Sequence, residues 1–359
     1  MNAGNAARSL PAGGPPSPVD WSVAASTAQR LIRSGPSVPR AEADAVVRDL
    51  RDMTGPAELH VRELTGLGQG LPLREGTVVD RHGWVRAASE GLALLTEGAM
   101  PANLPGPLAG VLAGTAGVQA GMVLAFLSSR VLGQYDPFGA GGRLLLVAPN
   151  IVSARQAMDV PASDFSMWVC LHEVTHRLQF TAVPWLRDYF SGQVGQLVSV
   201  MDDTAVGAFN RIPEMVRSAR DRLKTVRPAE VGPTALMELI QSPEQRAVLD
   251  RLVALSTLLE GHADHVMDAV GPVVVPSVTT LRTRFTARRK GGGVLDRVLR
   301  AVLGVEAKIR QYAEGAAFTR HVVDAVGMHG FNEVWTSPET LPSRTEIADP
   351  DAWLRRVLP

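Results

Sequence analysis

One stretch constrains this chain more than any other: PASDFSMWVCLHEVTHRLQF, residues 161–180. His172 and His176 stand four residues apart, and on an α-helix that spacing puts both imidazoles on one face. Around them Phe165, Trp168, Val169, Leu171, Val174 and Leu178 supply apolar side chains in nearly every direction. Such a helix has to be buried in a core, yet it must keep one side polar. Two histidines with an acid between them are the donor set for a divalent cation, with Glu173 placed beside the ion and outside its coordination shell. A carboxylate in that position can take a proton from water acidified by zinc and deliver it to a leaving group. A catalytic zinc ion takes three protein ligands, so a third donor must come from elsewhere. The extended pattern HExxHxxGxxH is absent, because Gln179 and Ala182 occupy the positions that would need Gly and His.

Downstream, STLLEGHADHVMDAVG offers Glu260 and Asp264 four apart on an expected helix. Glu260 is the expected third ligand. Asp264, one turn later, is the expected acceptor for the far nitrogen of a ligating histidine. His262 and His265 are rival ligands, since imidazole binds zinc as readily as carboxylate does, and His265 is the stronger rival. For the oxyanion that forms when water attacks a carbonyl, the candidates are Tyr312 and His321 on an expected helix from Leu295 to Val326.

HEVTH followed by this ExxxD resembles the gluzincin branch of the zincin metallopeptidases. Together with VLGQYDPF (131–138), LLEGHADHVMD (258–268) and KIRQYAEGAAF (308–318), it resembles a family of zincin-like proteins found in actinobacteria and chloroflexi. Members of that family are named as hydrolases, or as associated with biosynthesis of a deazaflavin coenzyme. The likeness spans residues 20–358 or so. It implies a zincin-like fold, one zinc ion and metallopeptidase activity on a peptide or small amide. A catalytically silent zinc-binding structural or regulatory protein on the same fold is the alternative.

The remaining sequence bears on class and organisation. Lysine plus arginine and aspartate plus glutamate each total 36, so no net field draws the chain toward nucleic acid or anionic lipid. The single cysteine, Cys170, has no internal partner, and its neighbours mark it as a buried apolar side chain. With no basic, apolar leader in the first 20 residues, a cytoplasmic setting is expected. No charged residue lies between Glu97 and Arg130. The prolines and glycines in that run favour a buried, close-packed helix over stable membrane insertion.

Residues 1–18, rich in Gly, Pro and Ala, read as a disordered tail, and 19–359 as one zincin-like domain, with 19–182 and 183–359 as two possible lobes. Helical spacing dominates the chain. Glu58 to Pro72 reads as a glycine-rich loop, Gly141 to Ile151 contains the clearest strand, and Ser163 is an expected N-cap. The strand at Arg143–Pro149 is a candidate edge for pairing with a substrate backbone. Arg282 to Lys290 reads as a solvated basic loop. The expected class is mostly α with a small β-sheet. Neither oligomeric state nor the substrate's identity is encoded in these patterns.

Overall fold

The computed structural model describes residues 17–97, 106–139, 141–199, 243–290 and 305–358; at 106–109, 286–290 and 305–313 the description covers the backbone alone. Residues 1–16 of the tail expected at 1–18 lie outside these residues, as do two segments, 212–225 and 234–240, for which apolar periodicity predicts helices.

The protein is mostly helical around one three-stranded sheet, as the sequence patterning implies. Helix α1 (Trp21–Leu31) starts at Asp20, whose carboxylate accepts from the Ser22 and Val23 amides at 3.0 Å each. Helix α2 (Arg40–Thr65) leads to strand β1 (Thr77–Val79) and helix α3 (Arg81–Leu95). Next come helix α4 (Gly106–Ser128), strands β2 (Gly133–Asp136) and β3 (Arg143–Val147), helix α5 (Ala148–Met158) and the HEVTH helix α6 (Ala162–Ala182). Beyond it lie α7 (residues 186–199), α8 (Pro243–Val274), α9 (Val278–Lys290), α10 (Val305–Phe331), α11 (Arg344–Ala348) and α12 (Pro350–Val357).

The strands are ordered β1-β3-β2, with β1 parallel and β2 antiparallel to β3. Side chains alternate across a strand, and β3 uses both faces for packing. Leu144 and Leu146 join the larger core, which includes Phe165, Trp168, Leu171, Val174 and Leu178 of α6. Leu145 and Val147 join a smaller core with Ala24, Ala28, Trp84, Val85 and Leu124. From Leu144 to Val147 the strand is apolar without alternation because both of its faces are covered. It is the central strand, so the expectation that it serves as a substrate-pairing edge is corrected: β2 holds the edge beside α6.

Other expectations shift for physical reasons. Helix α2 runs eight residues into the expected loop, through Thr65, because Ala57, Glu58, Val61, Arg62 and Thr65 bury a face against its neighbours; the chain turns only at Gly66, where φ is 72°. Helix α6 begins at Ala162 after Pro161, with no side-chain cap, while the Ser163 hydroxyl faces Asp164 Oδ1 at 3.3 Å. Residues 282–290 are helical. Arg282 there binds Asp264 at 3.1 Å and Asp268 at 2.7 Å, ion pairs across elements that spacing alone does not reveal. The expected helix end at Val326 falls at a kink, Gly327 with φ 72°, after which helix resumes to Phe331.

Among the described residues, helix α4 is packed on one side only. A Cβ on Gly117 would lie 2.5 Å from the Asp20 carbonyl oxygen, and one on Gly121 2.6 Å from that of Ala24, so these glycines let α4 lie against α1. Its opposite face exposes Val111, Leu112, Val118 and Met122. Residues 110–128 are apolar and long enough to cross a membrane by length and composition, and only 17% of them are buried, which corrects the expectation of a close-packed helix.

Candidate metal centre

The site is assembled where α6 meets α8. Helix α6 is buried along most of its length, and its HEVTH segment turns His172 and His176 toward Glu260 of α8. The two Nε2 atoms face each other at 3.1 Å. Glu260 Oε2 lies 3.5 Å from His172 Nε2 and 3.7 Å from His176 Nε2. A tetrahedral zinc ion with bonds of about 2.0–2.1 Å needs donors about 3.3 Å apart, close to these separations. Glu260 Oε2 is also a buried oxygen that receives no hydrogen bond. A buried, unsatisfied carboxylate oxygen is destabilising unless a cation or a donor meets it. The donor set and the orphaned oxygen therefore fit a divalent metal.

Charge distribution agrees with that reading. Burial would raise the Glu260 carboxyl, but His172 and His176 beside it hold it well below the usual carboxylate range. Burial would lower the His176 imidazole, yet Glu260 and Glu173 lift it to about 9. Both effects mark a place that favours positive charge. Glu173, only 6% exposed, is raised by burial, opposed by the two histidines and reinforced by Glu260, as suits a group that must hold a proton in passing.

Glu173 is packed against β2. A Cβ built on Gly133 would come within 2.5 Å of Glu173 Cγ and 2.6 Å of its Cδ, so a larger residue there would push this carboxylate aside. Gly133 carried no spacing signal of its own.

The far nitrogens of the histidines are held by residues that the expected ligand pattern does not include. His172 Nδ1 faces Met267 Sδ at 3.3 Å. His176 Nδ1 donates to Gln179 Oε1 at 2.9 Å. The amide nitrogen of Gln179 in turn donates to the Leu259 carbonyl and to His262 Nδ1, each at 3.0 Å. Gln179 is fully buried and touches both metal-bearing helices: it orients one ligand directly and grips the residue next to another. Its position about one turn after His176 is the only signal of this role that the sequence carries.

Asp264 does not take the expected role. Its carboxylate accepts from Arg282 instead, tying α9 to α8. His262 is fully buried, bonded to Gln179 and stacked near Phe331 and Trp335, and burial pushes its imidazole down to about 3. His265 is outside the ligand group; its imidazole is lowered by burial and by Arg320. His321 Nε2 pairs with the exposed Asp351 at 2.8 Å on the C-terminal helix. The Tyr312 side chain lies outside the described residues; its backbone is on α10, three residues before Gly315, which abuts Gly261 next to Glu260. Cys170 is buried, and desolvation raises its thiol to about 12, so it is the packing residue expected.

Behind the motif, Glu58 of α2 receives Arg62 from its own helix and Arg177 from α6 in a buried charge cluster. This fastens the helix bearing the ligands onto α2.

Comparison with known proteins matches the architecture. No curated protein matches the chain. A crystal structure of a hydrolase candidate with a novel fold from Chloroflexus aurantiacus is similar at 30% identity and a TM-score of 0.67, covering 94% of this chain and 98% of that one. The model of the zincin-like metallopeptidase family matches residues 19–354, almost the whole length, and with that match the chain belongs to the zincin-like metallopeptidase family.

Proposed function

We propose that the chain is a zinc-dependent hydrolase of peptide or small amide bonds, with one ion held by His172, His176 and Glu260. The observation that carries this is the convergence of three ligand atoms within 4.8 Å from two helices 84 positions apart in sequence (260 − 176), one of them an unsatisfied buried oxygen. Zinc held there would lower the pKa of a bound water and polarise a substrate carbonyl. Glu173, raised by burial, accepts the proton from the attacking water and returns it to the departing nitrogen. The outer edge of β2 beside Glu173, which pairs with no strand among the described residues, is where an extended substrate backbone would lie. Tyr312, by its place on α10, is the proposed oxyanion donor.

Glu173→Gln should keep stoichiometric zinc, measured by mass spectrometry, while losing hydrolysis of a peptide library by at least about a hundredfold. Glu260→Gln should lower zinc affinity far more than His265→Gln. A zinc-loaded wild type that cleaves nothing across the library would end the hydrolase reading.

A further inference from the structure

Four aromatic side chains beside the metal site form a continuous row. Tyr135 and Phe180 have ring centroids 6.1 Å apart, Phe180 and Phe190 6.3 Å, and Phe190 and Phe138 5.8 Å. The rings that serve only the core here, such as Phe165, Phe318, Phe331 and Trp353, are fully buried. Those of the row are all partly exposed. Tyr135, Phe180 and Phe190 pack against the larger core on one side and keep part of their surface open, so the connected run also offers a contact surface to an apolar ligand.

Their placement is ordered with respect to the catalytic carboxylate. On β2, Gly133 lies against Glu173, and two residues further Tyr135 lies against Phe180, seven residues beyond Glu173 on α6. Strand and helix therefore lead away from Glu173 together, by about 7 Å along the strand and about 10 Å along the helix. The row begins within one or two peptide residues of the scissile bond. No strand pairs with the outer edge of β2 among the described residues, so an extended substrate can continue along it. Its side chains would point alternately away from and toward the rings. Phe180, Phe190 and Phe138 offer no polar atom from their rings, so a charged substrate side chain among them would lose hydration; at the Tyr135 end, Arg74, Arg177 and Arg187 are close enough to act on the phenol.

We infer that Tyr135, Phe138, Phe180 and Phe190 form a subsite that selects an apolar, preferably aromatic, substrate side chain one or two residues from the cleaved bond. This rests on the amide-hydrolase reading above and adds the substrate class to it.

Hydroxamates test it, because they bind a catalytic zinc ion without needing turnover. The probes are acetohydroxamate and a series of hydroxamate-capped dipeptide amides carrying Phe or Ala at the first or second residue, titrated calorimetrically into zinc-loaded protein. At one of the two positions the Phe compound should bind at least about tenfold tighter than its Ala counterpart. Phe180→Ala should bring that ratio close to one, and Phe190→Ser, on a separate helix, should lower it independently. Equal affinity of Phe and Ala compounds at both positions, with acetohydroxamate still binding, overturns the subsite alone. Ring preference that survives both substitutions overturns it as well. Failure of every hydroxamate to bind overturns the metal centre and the subsite together.

Discussion

Gln179 and Gly133 illustrate how much of a metal site lies outside its ligands. Gln179→Leu keeps the approximate volume but leaves the His176 Nδ1 proton and the Leu259 carbonyl unpaired in a buried setting. Zinc affinity should fall about 10–100-fold in competition with a chelator, the range typical when a histidine ligand loses its outer partner. Gly133→Ala acts on the other group. Its methyl would displace Glu173, so hydrolysis should drop toward the level of Glu173→Gln while zinc content and thermal stability stay near wild type. Retention of full activity would show that the carboxylate is free to move and does not depend on β2. The two histidines and Glu173 were legible from spacing, since a four-residue interval has one meaning on a helix. Asp264 was misassigned because Arg282, eighteen residues later, competes for it, and a pairing of that kind depends on how α9 folds back.

At the level of elements, the HEVTH helix is positioned by the charge cluster on its far side. Glu58 is 2% exposed and receives two guanidinium groups that are themselves buried. Such a cluster adds little net stability when intact, but removing one partner strands the others. Glu58→Ala leaves Arg62 and Arg177 uncompensated and should destabilise the protein by about 3–5 kcal/mol in chemical denaturation. Replacing the exposed Asp44, paired with Arg40 at 3.8 Å at the start of the same helix, should change stability by less than about 1 kcal/mol. The role of Glu58 was invisible in sequence, where it reads as the start of a glycine-rich loop. Periodicity places the helices well but misjudges where they stop, because a buried polar face can hold a helix past the point where local signals weaken.

For the molecule as a whole, the site depends on how closely α8 approaches α10. A Cβ on Gly261 would sit 2.1 Å from the Gly315 carbonyl carbon, with backbone as the obstacle. Gly261→Ala therefore has to push the helices apart. Overpacking of this kind destabilises by about 1–3 kcal/mol or more, and because Glu260 is the adjacent residue, zinc affinity should fall with it. Gly114→Ala is the contrast: nothing lies within 4 Å, and a helix-interior alanine should stabilise by about 0.5–1 kcal/mol in thermal unfolding. The HExxH helix, the predominance of α-structure and the central apolar strand were determined by the sequence alone, since each follows from local periodicity and side-chain chemistry. Which strand lies at the edge, what Asp264 pairs with, and which residues hold the ligand imidazoles were decided only by the tertiary structure. Those depend on contacts such as that between Gln179 and Leu259, 80 positions apart, and no local pattern reports the distance between segments brought together by packing.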